Sequence, residues 1–233
     1  MIVMSKKFEE TVFEYNKTIQ RGELILVEYT SSEPIHLVVY LLLRYLKKEN
    51  IPFIIIDIAD QLHVLKAHLK FAGINTKLID EAQVIKLGGA ITTGSVLERI
   101  SLTLEPSVMK NEFVKILKQL AEKHDYFVRI GLGTEKLIKL LSEDPATLEA
   151  FFGSMVRPLL GYEKSTGVVF MNTGIIREDI VQEAEEIASR VFEVKLEEGE
   201  ITFRVVKSIN FNEHGKTLSI KAQELQEYFA SVE

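Results

Sequence analysis

The sequence contains no cysteine and no tryptophan. Without thiols there can be no disulfide, no thiolate-bound metal and no cysteine nucleophile. Long hydrophobic runs are missing as well. The longest candidate, Leu37 to Leu43, stops at Arg44, far short of the roughly 18 apolar residues of a membrane span. Met1 to Glu10 lack the apolar stretch of a signal peptide, so a cytoplasmic location with no membrane partner is expected. Excess positive charge is absent too. Lys and Arg number 28 against 34 Asp and Glu, a formal net charge of -6, which argues against a nucleic-acid partner because phosphate binding needs clustered cations. Asn, Gln and Met are sparse while Glu and Lys abound, a bias typical of hyperthermophile proteins with surface ion-pair networks.

What is present is a chain of 233 residues with 46% hydrophobic content, enough for a sizeable core. No low-complexity break or linker divides it, so one domain spanning 1–233 is expected. Apolar residues at Phe8, Val12, Tyr15 and Ile19 predict an amphipathic helix within residues 1–20. Apolar runs at Leu24 to Glu28, Pro52 to Ile58, Ala82 to Leu87, Tyr126 to Ile130 and Thr166 to Asn172 read as strands covered on both faces. Ser95 to Pro106 reads as partly strand. Helical spacing separates these runs at Pro34 to Lys48, with Ser32 or Glu33 as cap, and at Asp60 to Ala72, Met109 to Lys123, Glu135 to Leu141, Asp144 to Phe152 and Glu178 to Ser189. From residue 190 onward, alternating strands at Val191 to Leu196, Ile201 to Ile209 and Thr217 to Ile220 precede a last helix from Lys221 to Phe229. Alternating strands and helices imply an α/β fold with a mostly parallel sheet, helices on both faces and an antiparallel C-terminal meander.

Three phrases carry a resemblance. Gly-Glu-Leu-Ile-Leu-Val-Glu from Gly22, Leu-Lys-Phe-Ala-Gly-Ile-Asn from Leu69 and Gly-Glu-Ile-Thr-Phe-Arg-Val-Val-Lys from Gly199 resemble the KaiC-like branch of the RecA superfamily of P-loop ATPases. As a whole, the chain resembles an archaeal family of hyperthermophile proteins, domain-of-unknown-function family 257. The first resemblance implies a RecA-like fold with a phosphate loop between first strand and first crossover helix. Here that stretch is Tyr29, Thr30, Ser31, Ser32, Glu33, Pro34, Ile35 and His36.

Laid on the pattern G-x-x-x-x-G-K-[ST], the defining positions fall on Tyr29, Pro34, Ile35 and His36. Each departs. Tyr29 is bulky for a tight turn, Pro34 has no amide hydrogen, Ile35 has no charge and His36 is a poor magnesium ligand. The family's metal-organising aspartate would fall near Gly131 and is absent. This stretch is therefore expected to be a degenerate P-loop, with no catalytic residues and no cofactor.

Other chemistry is limited. Asp57 and Asp60 lie at the end of the second strand, where the KaiC-like resemblance implies a water-activating carboxylate pair, while strand-end aspartates more often serve as turn or cap residues or as a ligand-binding rim. Gly131, Gly133 and Thr134, followed by Lys136, form a glycine turn between strand and helix, where amides and a hydroxyl can hold an anion. Gly88, Gly89 and Gly94 punctuate a similar loop. His63 and His68, five apart, face different sides of a helix and predict no metal pair. Ser31 and Ser32 lack the glycine-flanked elbow of a hydrolase nucleophile. The helix from Ile35 is apolar nearly all round, as for a buried helix or a subunit interface. Two functions follow as expectations. One is a non-catalytic RecA/KaiC-like scaffold, a pseudo-ATPase acting through a protein partner or homo-oligomer. The alternative is a small-molecule or nucleotide-binding protein using Asp57, Asp60, Gly131, Gly133 and Thr134 at the strand C-termini.

Overall fold

The computed structural model describes residues 2–102 and 106–232. Among them the chain runs α1 (Ile2–Asn16), β1 (Leu24–Tyr29), α2 (Ile35–Lys48), β2 (Phe53–Ile58), α3 (Gln61–Phe71), the single turn α4 (Lys77–Asp80), β3 (Gln83–Leu87) and β4 (Ser95–Ile100). It continues through α5 (Pro106–Lys123), β5 (Phe127–Leu132), α6 (Thr134–Leu141), α7 (Pro145–Phe151), a π-helical stretch Phe152–Val156 and β6 (Ser165–Asn172). α8 (Glu178–Ile187), β7 (Arg190–Glu197), β8 (Glu200–Ser208), β9 (Thr217–Lys221) and α9 (Ala222–Ser231) complete it. No described helix is long and apolar enough to cross a membrane.

The strands form one sheet in the order β4-β3-β2-β5-β6-β1-β7-β8-β9. All pairs from β4 to β7 are parallel, while β8 pairs antiparallel with β7 and with β9. The expected α/β class, parallel centre and antiparallel C-terminal strands are thus present. Crossover helices must cover both faces of such a sheet, and strand alternation sends side chains to each. Ile25, Val27, Ile55, Val84, Val128, Ile130, Val168 and Phe170 share a core with α1, α2, α3 and α9. Leu26, Ile54, Ile58, Ile85, Leu87, Phe127 and Met171 share the other with α5, α6, α7 and α8. Each fully buried aliphatic or aromatic side chain contributes about 1.5–3 kcal/mol.

Most of helix α2 lies inside the first core. Tyr40, with no exposed surface, packs edge-on against Phe229 of α9 at 5.1 Å. Its Arg44 donates to Glu9 of α1 at 2.6 Å, and Tyr228 of α9 donates to the same carboxylate at 2.8 Å. The apolar circumference of α2 is therefore covered by the sheet, α1, α3 and α9.

Three boundaries differ from expectation. α1 ends at Asn16 rather than Ile19, because Thr18 and Ile19 amides turn back to the Tyr15 and Asn16 carbonyls. Within Ser95 to Pro106, β4 covers only Ser95–Ile100, an edge strand mostly exposed, and residues 103–105 lie outside the described residues. Neither Ser32 nor Glu33 caps α2. Pro34 occupies the capping position without a side-chain bond, and the Ile35 and Leu37 amides bond instead to the Glu33 and Pro34 carbonyls.

Candidate functional site along the C-terminal edge of the sheet

Because β1 to β7 are parallel, their C-terminal ends and following turns gather on one edge, where open α/β sheets bind ligands. The first turn follows β1. A phosphate cradle needs successive amides turned to one point, which requires a left-handed residue in the loop. No residue from Tyr29 to His36 has positive φ. Glu33 folds back instead, and its Oε2 accepts from the Thr30 amide at 2.6 Å and the Thr30 hydroxyl at 2.7 Å. Ser31 is held from β6, its Oγ accepting from Asn172 Nδ2 at 3.0 Å. Tyr29 is buried, and burial with Glu135 nearby pushes its phenol well above the ordinary range. His36 is half-buried with its ring 5.5 Å from that of His68, and burial, then His68, holds it down at about 4.

The second turn follows β2. Asp57 and Lys86 are paired in register on adjacent strands with no exposed side-chain surface, 2.8 Å apart. Lys86 also donates to Asp60 at 2.6 Å. The remaining acceptors meet backbone donors: Leu62 on Asp57 at 2.8 Å, Ala90 and Ile91 on Asp60 at 2.8 and 3.0 Å. Burial opposes ionisation of both Asp60 and Lys86, but the ion pair and amides win, lowering Asp60 and raising Lys86. Ala59 and Asp60 both take left-handed φ, at 51° and 61°, a strained pair without glycine. The network holds the Gly88 to Ile91 loop against β2, and Gly89 must lack a side chain because a Cβ there would sit 2.4 Å from Asp60 Oδ1.

The third turn follows β5. Gly133, at φ +77°, crosses the end of β2 so closely that a Cβ would lie 2.5 Å from the Ile58 carbonyl oxygen. Lys136 reaches the Ala59 carbonyl at 3.4 Å. Glu135 is buried in the first turn of α6, its Oε2 without a hydrogen-bond partner among the described residues, and burial raises its pKa. Gly131 and Thr134 face away from the other residues of this edge, into a small cavity beneath α6. Further along, Glu28 stands in register with Glu193, and burial, then Glu185 and Glu193, holds its carboxyl far above the usual range. No described group of three or more His, Asp or Glu residues is arranged to hold a metal ion.

The family described as Pyrococcus protein of unknown function, DUF257, matches residues 14–219. The chain belongs to the DUF257 family. No curated protein matches it. Among solved structures, the Pyrococcus horikoshii OT3 protein of structural project PH0250 is 26% identical, with a TM-score of 0.73 over 88% of this chain and 96% of that one. Flagellar accessory protein FlaH from Methanocaldococcus jannaschii is 17% identical, with a TM-score of 0.54 over 87% and 86%. KaiC-like protein PH0186 from Pyrococcus horikoshii OT3 is 10% identical, with a TM-score of 0.57 over 88% of each chain. At such identities the last two establish a KaiC- and FlaH-like, RecA-type fold and nothing finer.

In this DUF257 chain, then, the sequence-predicted residues do not converge. Asp57 and Asp60 meet each other through Lys86, Gly133 packs on the end of β2, and Gly131 with Thr134 belongs to the opposite face. Lys86 escaped the sequence reading because it sits inside an apolar strand run, and only its register opposite Asp57 reveals the pair. Glu33 and Glu135 were visible as helix-start carboxylates. Their inward fold was not. His68, expected on a different helix face from His63, meets His36 of α2.

Proposed function

We propose that this protein is a non-catalytic scaffold of the KaiC/RecA-like fold, with a degenerate phosphate loop, acting through contacts with a protein partner or with further copies of itself. The observation that carries the reading is the fate of the amide donors along the strand edge. At the turns after β1 and β2 a carboxylate of the chain itself, Glu33 or Asp60, takes amides of the kind that would face a phosphate. An incoming phosphate would have to displace an internal anion and lie beside its charge. With Pro34 supplying no donor and Glu185 and Glu193 adding acidity nearby, the edge selects against polyanions. Exposed apolar side chains such as Phe71, at 87% exposure, and Phe211, at 85%, supply surface for protein contacts. Calorimetric titration with ATP and magnesium tests this: no saturable heat is expected, and micromolar binding would end the proposal.

A second reading keeps a small-molecule site at the strand C-termini around Asp57, Asp60 and Gly133, apart from Gly131 and Thr134 on the opposite face. The strained Ala59 and Asp60 pair favours it, since such strain gathers at functional sites. A ligand there would raise the melting temperature of the native chain and not of Asp60→Asn.

A further inference from the structure

The molecule buries two arginines, and they differ in one respect. Arg190, 2% exposed, is ringed by carboxylates: Glu23 at 2.9 Å and Glu213, with the Tyr15 hydroxyl at 2.9 Å. Arg129 in β5, 5% exposed, has no carboxylate within ion-pair distance among the described residues. Its Nε donates to Ser165 Oγ at 2.9 Å, and its buried Nη2 has no partner among the described residues. Burial lowers Arg129 only to about 10, so the guanidinium stays charged at neutral pH. A desolvated cation left without a counter-charge is costly enough that native proteins pair it.

Arg129 lines a cavity of about 100 Å³ between the sheet and α5 to α7. Everything else around it is apolar or small: Leu24, Ile56, Phe151 and Met155 form walls, and Gly131 and Gly167 form the floor. Neither floor glycine has positive φ, so space rather than backbone conformation calls for them. A Cβ on Gly167 would sit 3.3 Å from Arg129 Nη2 and 2.9 Å from Leu24 Cδ1, and one on Gly131 would sit 3.1 Å from Thr134 Oγ1. One wall is the π-helical stretch Phe152–Val156, a local distortion that proteins place at functional sites more often than elsewhere.

We propose that this cavity is a binding site for a short aliphatic carboxylate, whose charged end pairs with Arg129 while its hydrocarbon body fills the space toward Met155. An apolar cavity of 150 Å³ holds the six heavy atoms of benzene, so this one holds roughly four to five, the size of acetate to propionate. A planar carboxylate matches the geometry of a guanidinium, and an apolar tail matches the walls. The polyanionic phosphates excluded at the strand edge are equally unsuited here, because the cavity offers one cation and no further donors beyond Thr134.

The test is calorimetric titration of the whole chain with sodium propionate, its neutral counterpart propionamide and inorganic phosphate. Propionate is expected to bind saturably, propionamide and phosphate at least tenfold more weakly, and Arg129→Met is expected to weaken propionate at least tenfold. Gly167→Ala is expected to weaken it as well. No saturable propionate binding, equal binding of propionamide or phosphate, or an unchanged Kd in Arg129→Met would overturn the proposal. If Arg129→Met does not fold, NOEs between the propionate methyl and the Leu24 and Met155 methyls in the native chain decide the matter, and their absence counts against the site.

Discussion

Replacing Lys86 by methionine isolates what the Asp57 and Asp60 pair does. Lys86 and Asp57 are fully buried, and Asp60 keeps 20% of its side chain exposed. Without the ammonium, Asp57 retains one amide, from Leu62, and Asp60 retains two, from Ala90 and Ile91. Removing one partner of a buried ion pair costs about 3–5 kcal/mol, and the surviving amides place this case near 3. For a domain of this size that is a fall of roughly 6–12 °C in melting temperature. Asp57→Asn keeps the acceptor for Leu62 while removing the charge, so the Asp57→Asn/Lys86→Met double variant should recover at least about 1 kcal/mol of the sum of the single losses. Urea denaturation of the four proteins measures the cycle. A Lys86→Met loss below about 1 kcal/mol, or additive losses, would refute a structural role for the network.

Arg190→Met should be as damaging, by about 3–5 kcal/mol, because it strands Glu23 and Glu213 in the core where β7, β1 and the segment before β9 meet; urea denaturation reads it, and a change under 1 kcal/mol would contradict the reading. Acid stability should report His36. Its folded pKa near 4 lies below the unfolded value of 6.5, so the unfolded chain binds more protons between those pH values and stability rises with pH across that window. Discounted for partial exposure, the swing is on the order of 1–2 kcal/mol, and His36→Gln should flatten the stability curve there. Gly133→Ala should cost about 2 kcal/mol or more, combining a left-handed φ of +77° with a Cβ placed 2.5 Å from the Ile58 carbonyl, and an unchanged denaturation midpoint would show that the turn relaxes freely.

The sheet was legible because its strands are buried on both faces, and such strands announce themselves as β-branched runs. Phe53 to Ile58 and Phe127 to Leu132 needed little more than their composition. β4 was the weakest strand to read for the opposite reason: at the edge, with an irregularity in its pairing with β3, it carries no clear pattern. The site was far less legible. A charged residue inside an apolar strand looks like an interruption until its neighbours are known, and those of Lys86 and Arg129 lie 26 to 36 residues away in the chain. The Tyr29 to His36 turn could be recognised by what it lacks, but the carboxylate filling its place depends on Glu33 turning back through two hydrogen bonds to Thr30, a local choice that several polar turn sequences share.

The most direct test of the central claim is the response of the Thr30, Ser31 and Ser32 backbone amides to ATP and magnesium, followed by nuclear magnetic resonance on the native chain. If Glu33 already holds the Thr30 amide and the edge repels polyanions, these resonances should show no saturable shift up to millimolar nucleotide. A saturable shift of the same amides with a micromolar midpoint would mean that the turn is a working phosphate site, and would contradict the account.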